Sequence, residues 1–180
     1  FDEFFRFFSA LELLQEKEHK TLNHYVITMG DEVKEFIASL PYALTGAQKE
    51  TLEDIRRDMA GTSAMNRLIQ GDVGSGKTIV AMTALYAVVK NGYQGALMAP
   101  TEVLALQHYE SFRKMLEPRG VRVGLLIGSQ KAAEKRKSKQ LCESGEVDIV
   151  IGTHAIIQED VLFKNLALTV TDEQHRFGVK

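Results

Sequence analysis

Residues 65–80 read MNRLIQGDVGSGKTIV, and the fold turns on this stretch. Leu68 and Ile69 predict a buried strand, which GDVGSGKT breaks at once. Residues 79–89 then carry the apolar density of a packed helix. Strand, glycine-rich loop and helix in this order is the setting of a phosphate-binding P-loop, GxxxxGK[ST]. In such a loop Gly71, Gly74 and Gly76 let the backbone curl, so that N–H groups from Gly71 through Asp72, Val73, Gly74, Ser75 and Gly76 face one anion. The next helix adds the positive end of its dipole. Lys77 can then reach the β- and γ-phosphates, and the Thr78 hydroxyl can ligate Mg²⁺. The blander reading is a glycine-rich turn ahead of a core helix. The complete pattern in its proper context favours a nucleoside triphosphate site.

The chain downstream alternates. Residues 95–100 (GALMAP), 121–127, 147–151 and 166–171 predict strands, with helices over 102–116 and 131–142 between them. Alternating βα units of this length imply a parallel sheet with helices on both faces, an α/β fold with right-handed crossovers. Upstream, Thr45 is an expected N-cap for a helix over 46–59, with Ala47, Leu52, Ile55 and Met59 turned inward. Gln48 stands at the third position after that cap, where its side chain can complete a capping box. Asp31 is expected to cap a shorter helix that Pro41 stops. Residues 21–30 have no clear period and read as a linker. Residues 1–20 place Phe1, Phe4, Phe5, Phe8 and Leu11 at helical spacing. This aromatic helix is expected either to connect two domains or to cap this one. The expected organisation is therefore a connector and linker over 1–30 and a triphosphate-binding domain over 31–180.

With 44% hydrophobic and 26% charged residues, the 180-residue composition is ordinary for a soluble globular protein. No apolar run approaches the ~20 residues that span a bilayer, and no signal peptide is expected at the start. The single cysteine, Cys142, excludes an internal disulfide, fits a reducing cytoplasm and reads as a packing residue. A net charge of −2 argues against a purely electrostatic nucleic-acid binder. It leaves room for a motor that grips strands through local amides and hydroxyls. The run Lys131, Lys135, Arg136, Lys137 and Lys139 reads as a solvated helix face before a DNA-attracting one.

A second chemical signal is TDEQH at 171–175, at the end of a predicted strand. Asp172 there suits Mg²⁺, directly or through water, and Glu173 can orient or deprotonate an attacking water. Ligands in open α/β sheets bind outside the carboxyl ends of strands, where both loops would lie.

Taken with APTEVLALQHY at 99–109, IGTHAIIQED at 151–160 and DEQHRFGVK at 172–180, GDVGSGKT resembles the superfamily 2 helicases. Within them the chain looks most like the RecG group of branch-remodelling DNA helicases, a likeness that LPYALTGAQ at 40–48 and LLIGSQKAAEKRK at 125–137 share. Transcription-repair coupling translocases are similar around the P-loop and acidic box, and the primosomal helicases more distantly. The resemblance implies a RecA-like domain that uses ATP and Mg²⁺ to move on forked or branched duplex DNA. It implies adenine recognition by Gln48, with Tyr42 on the base. It also implies catalytic roles for Lys77, Asp172 and Glu173, backbone contacts to DNA from Thr101 and from Gly152 with Thr153, and coupling through His175. Thr101 is equally an ordinary N-cap.

The strand before the acidic box departs from the group: it reads LALTVT, where aliphatic residues are usual. Thr169 and Thr171 are expected to weaken it slightly, because a buried hydroxyl must find a partner. The SAT-type motif, the second RecA-like domain and the N-terminal wedge domain expected of the group do not occur within these residues. The chain is therefore expected to be a helicase fragment, truncated within its first RecA-like domain and inactive alone. Two other classes stay open. A P-loop kinase or GTPase switch is disfavoured by the absence of an NKxD motif and by DEQH in place of DxxG. The other is a non-catalytic interaction module.

Overall fold

Aliphatic runs at four places along the chain build one sheet. In the computed structural model, which describes residues 22–172, these strands are β1 (Gln94–Met98), β2 (Val123–Leu126), β3 (Ile149–Gly152) and β4 (Leu166–Thr171). Their order is β2-β3-β1-β4 and every pairing is parallel, with Ala96 opposite Val150 and Leu97 opposite Val170. The expected connector helix over 1–20 lies outside the described residues, as do Glu173, His175, Arg176 and Phe177.

Side chains on these strands alternate between two cores, as the twofold period of a strand requires. Leu97, Val123, Ile149 and Ile151 join one core with α1 (Asp31–Ala38), α2 (Gly46–Met59), α3 (Lys77–Lys90) and the Phe112–Leu116 end of α4 (Glu102–Leu116). Ala96, Leu126 and Val150 join the other, with Cys142 of α5 (Ala132–Ser144) and the short helical turn His154–Ile157. Helices therefore cover both faces, as expected. Helix α3 is apolar almost all round because it is sandwiched between α1 and α2 on one side and β1 and β4 on the other. Its Thr83 hydroxyl is satisfied by the Ile79 carbonyl at 2.7 Å.

The expected linker is fastened down. Ile27 is buried, Asn23 donates to the Met59 and Gly61 carbonyls at the end of α2, and Asn91 exchanges hydrogen bonds with Thr28. Helix α1 starts at its expected cap, Asp31, so the true cap lies one residue earlier. Gly30 is the N-cap and Asp31 lies in the first turn, where its carboxylate suits the helix dipole and pairs with Lys34 at 2.8 Å. Helix α2 buries Leu52, Ile55 and Met59. Ala47, expected inward, is exposed, since five residues carry it about 140° around the helix from Leu52.

The largest departure is the strand expected at Leu68 and Ile69. No strand forms over 64–70 among the described residues, and Leu68 is 65% exposed. Arg67 draws this segment towards α2, with its guanidinium on Asp58 at 2.7 Å and Asp54 at 3.1 Å. Met65 instead lines a cavity of about 240 Å³ with Tyr25, Met59 and Leu168, alongside β4. Among the described residues β4 is thus one outer strand of the sheet, with β2 the other. The Thr169 and Thr171 side chains of β4 are exposed, so neither hydroxyl is buried, and both residues pair with β1, whose register with β4 slips only past Ala167.

Cys142 is buried at the end of α5, and burial pushes its thiol up to about 11. The folded thiol holds its proton above the pH at which an unfolded one loses it. This contribution to stability is therefore complete below about pH 9 and disappears as pH rises towards 11. Cys142→Ala should flatten that part of the stability curve in urea titrations at pH 8 to 11. An unchanged alkaline slope would contradict the assignment.

Candidate nucleotide-binding site

The P-loop is a turn that begins helix α3. Asp72 accepts the Ser75 N–H at 3.1 Å, closing the turn, and Gly74 and Gly76 take left-handed φ values of 82° and 79° that other residues resist. Gly76 is the N-cap of α3. A side chain there would also strike Gln48, whose Nε2 lies 2.4 Å from the position of a Cβ. Lys77 folds back over the loop, and its ammonium donates to the Gly71 carbonyl at 2.7 Å and the Asp72 carbonyl at 2.9 Å. Two neutral carbonyls are weaker partners for an ammonium than phosphate oxygens, which add charge to the bond. Thr78 follows, exposed on the first turn of α3. Val73 stands fully exposed at the loop tip.

Gln48 does two things at once. Its Oε1 accepts the Thr45 N–H at 2.9 Å while the Thr45 hydroxyl accepts the Gln48 N–H at 3.3 Å, the expected capping box. Its Nε2 donates to the Ser75 carbonyl at 2.9 Å, so the cap of α2 holds the phosphate loop in place. Cap and ligand contact were rival readings of this residue; its amide is large enough for a cap and a loop contact together. Tyr42 is exposed nearby in sequence.

Asp172 extends the ladder beyond β4, its N–H donating to the Met98 carbonyl at 2.8 Å. Its Oδ2 lies 2.8 Å from Nε2 of His108 on α4. An ionised carboxylate can only accept, so Nε2 carries the hydrogen. His108 was visible only as one letter of APTEVLALQHY. Its partner lies 64 residues downstream, beyond the reach of any local spacing argument.

The other expected strand contacts also lie at the carboxyl ends of strands. Thr101 is the N-cap of α4, its hydroxyl accepting the Leu104 N–H at 3.3 Å, so the ordinary role is occupied. Beside it Glu102 accepts the Ser129 N–H at 2.8 Å, and bonds to Ser129 hold its carboxyl below the usual carboxylate range. Gly152 and Thr153 are both buried, Thr153 being only 3% exposed. The Thr153 hydroxyl has no hydrogen-bond partner among the described residues. Valine has the same shape without the orphaned group, so Thr153→Val should raise stability by about 1–3 kcal/mol in thermal melts. A lower melting temperature would mean that the hydroxyl has a partner in the folded protein. Of the basic run, Lys131, Arg136 and Lys137 are exposed, whereas Lys135 and Lys139 are half-buried, Lys139 being paired to Asp160 at 2.5 Å.

No group of three metal-ligating side chains occurs among the described residues. Mg²⁺ does not need one, since it keeps several waters and uses one or two protein oxygens plus phosphates. The exposed Thr78 hydroxyl and the Asp172 Oδ1, which has no bond among the described residues, are hard oxygen donors of the right kind.

This P-loop and acidic-strand arrangement matches a family model described as DEAD/DEAH box helicase over residues 45–180. The chain belongs to the DEAD/DEAH box helicase family. It is 53% identical over 150 residues to the ATP-dependent DNA helicase RecG of Bacillus subtilis, an alignment covering 83% of this chain and 22% of that protein. With the RecG of Thermotoga maritima it shares 54% over 155 residues, 84% of this chain and 19% of the relative. A solved structure of RecG bound to a three-way DNA junction superposes with a TM-score of 0.85 at 46% identity, covering 95% of this chain and 24% of that one. The chain thus spans about a fifth of the length of these two curated relatives. None of its described helices is long and apolar enough to cross a membrane.

Proposed function

We propose that these residues form the ATP-binding side of a RecG-type motor that remodels branched or forked duplex DNA, with 31–180 as the first RecA-like domain and 1–30 as its connector. The observation that carries this reading is the resting place of Lys77. Its ammonium sits on two loop carbonyls, at the start of a helix whose N-terminal dipole favours the same anion. Relatives named RecG at about half identity, one of them solved on a three-way junction, support branched DNA as the partner.

On this reading the triphosphate displaces the two carbonyls from Lys77, and the N–H groups of the loop from Gly71 to Thr78 close on it. The Gln48 amide keeps a second N–H for the adenine ring while it holds Ser75. Thr78 and Asp172 would hold Mg²⁺, which neutralises charge on the phosphates. Glu173 orients or deprotonates the attacking water, and His175 passes the state of the site to the DNA side. Thr101 and the backbone around Gly152 and Thr153 meet phosphates, so binding is independent of base sequence. The motor works in the cytoplasm, together with a second RecA-like domain and a wedge domain. An arginine finger supplied by a partner domain is worth about 10³ or more in rate, so fast ATP turnover needs both halves of the cleft.

The test is hydrolysis and strand separation by the intact helicase carrying this domain, on a three-strand junction and on linear duplex. ATP turnover stimulated by the junction and abolished by Glu173→Gln is the expected result. Turnover indifferent to DNA, or intact in that variant, would sink the proposal.

A further inference from the structure

We propose that His108 is a positioning residue for the nucleotide site, fixing the direction in which the Asp172 carboxylate points. The inference rests on the reading of Asp172 as a Mg²⁺-facing group and goes beyond it by naming what orients that group. The backbone of Asp172 is fixed by its bond to Met98, but this leaves the side chain free to turn about its own bonds. His108 Nε2, at 2.8 Å, is the one hydrogen-bond partner of that carboxylate among the described residues.

The ring that makes this contact is itself held. Ala105, one turn before His108, and Phe112, one turn after it, are both fully buried at 0% exposure. Helix α4 therefore cannot roll without opening the core, and the imidazole keeps its place. The pair is also sheltered, at 13% exposure for His108 and 32% for Asp172, unlike the open ion pairs of α1 and α2. Solvent-exposed pairs of that kind contribute little. With Oδ2 occupied by the imidazole, Oδ1 keeps its lone pairs unused among the described residues.

The test compares intact helicase with His108→Leu, which cannot donate, and His108→Gln, whose amide nitrogen stands where Nε2 did. Binding of a fluorescent ADP is titrated in EDTA and in Mg²⁺, alongside thermal melting and DNA-stimulated ATP turnover. His108→Leu should bind as wild type does in EDTA, lose the added affinity that Mg²⁺ confers and turn over about 10- to 100-fold more slowly. His108→Gln should restore both. A leucine variant that keeps its Mg²⁺-dependent gain overturns the proposal. So does one that loses affinity in EDTA and melting temperature together without rescue by glutamine, since that is a purely structural role. A wild type that binds nucleotide in neither buffer removes the nucleotide-site reading itself, and His108's role with it.

Discussion

Lys77→Ala should lower affinity for Mg²⁺–ATP by about 10- to 100-fold while leaving the fold almost untouched. Hydrogen bonds made by a charged group contribute about 1.5–3 kcal/mol, and about 1.4 kcal/mol is tenfold in affinity. The lower part of that range is the better expectation. Lys77 already has bonds to the Gly71 and Asp72 carbonyls, which it must give up to reach phosphate. Those carbonyls sit in an exposed loop, so water replaces the ammonium when the side chain is removed and stability changes little. Calorimetric titration with ATP and a parallel thermal melt separate the two effects. Equal ATP affinity in both proteins would leave the P-loop with no nucleotide role, and a large fall in melting temperature would mean that Lys77 is chiefly a structural clasp.

Gly152→Ala should be the most damaging single methyl in the domain. A Cβ on Gly152 would stand 1.9 Å from the Leu126 carbonyl oxygen and 2.8 Å from its carbon. Both atoms belong to β2, which is paired in register with Gly152, so neither can retreat without opening the ladder. Overpacking in a core costs about 1–3 kcal/mol, and more where backbone must move. A loss near 3 kcal/mol corresponds to a melting temperature lower by roughly 6–12 °C for a domain of this size. Gly46→Ala is the control, since nothing lies within 4 Å of its Cβ position at the start of α2. A Gly152→Ala protein melting with wild type would show that the β2–β3 contact is looser than described. The same substitution is a poor probe of DNA contact, because the damaged sheet would weaken binding whatever Gly152 touches.

What could be read from the sequence was what depends on neighbours along the chain. The bounds of α4 and β4, the Thr45 cap and its reply from Gln48, and the P-loop turn are set within a few residues of each other. The sheet followed from the alternation of aliphatic strands with helical segments, because parallel strands need a crossover between them. The misses came from partners far away in sequence. Nothing near Leu68 announces that Arg67 will pair with Asp54 and Asp58 of α2. Nothing near Asp172 names His108. The threonines of β4 looked like a cost only because the strand was assumed to be buried on both faces. Nothing near Gly152 and Thr153 announces how deeply they are buried, with Gly152 set against Leu126 and Ile156.

The bond from Gln48 to Ser75 has a kinetic consequence. A loose glycine-rich loop must be frozen by its ligand, and ordering each residue costs about 1–2 kcal/mol of entropy. Here the capping box of α2 already restrains the loop at Ser75 through the Gln48 amide. A nucleotide entering the proposed site would find part of the mould already set, so less of its binding energy would go into ordering the protein. Loosening the far side of that clamp, for example by Thr45→Ala, slows nucleotide capture and leaves every atom that touches phosphate in place.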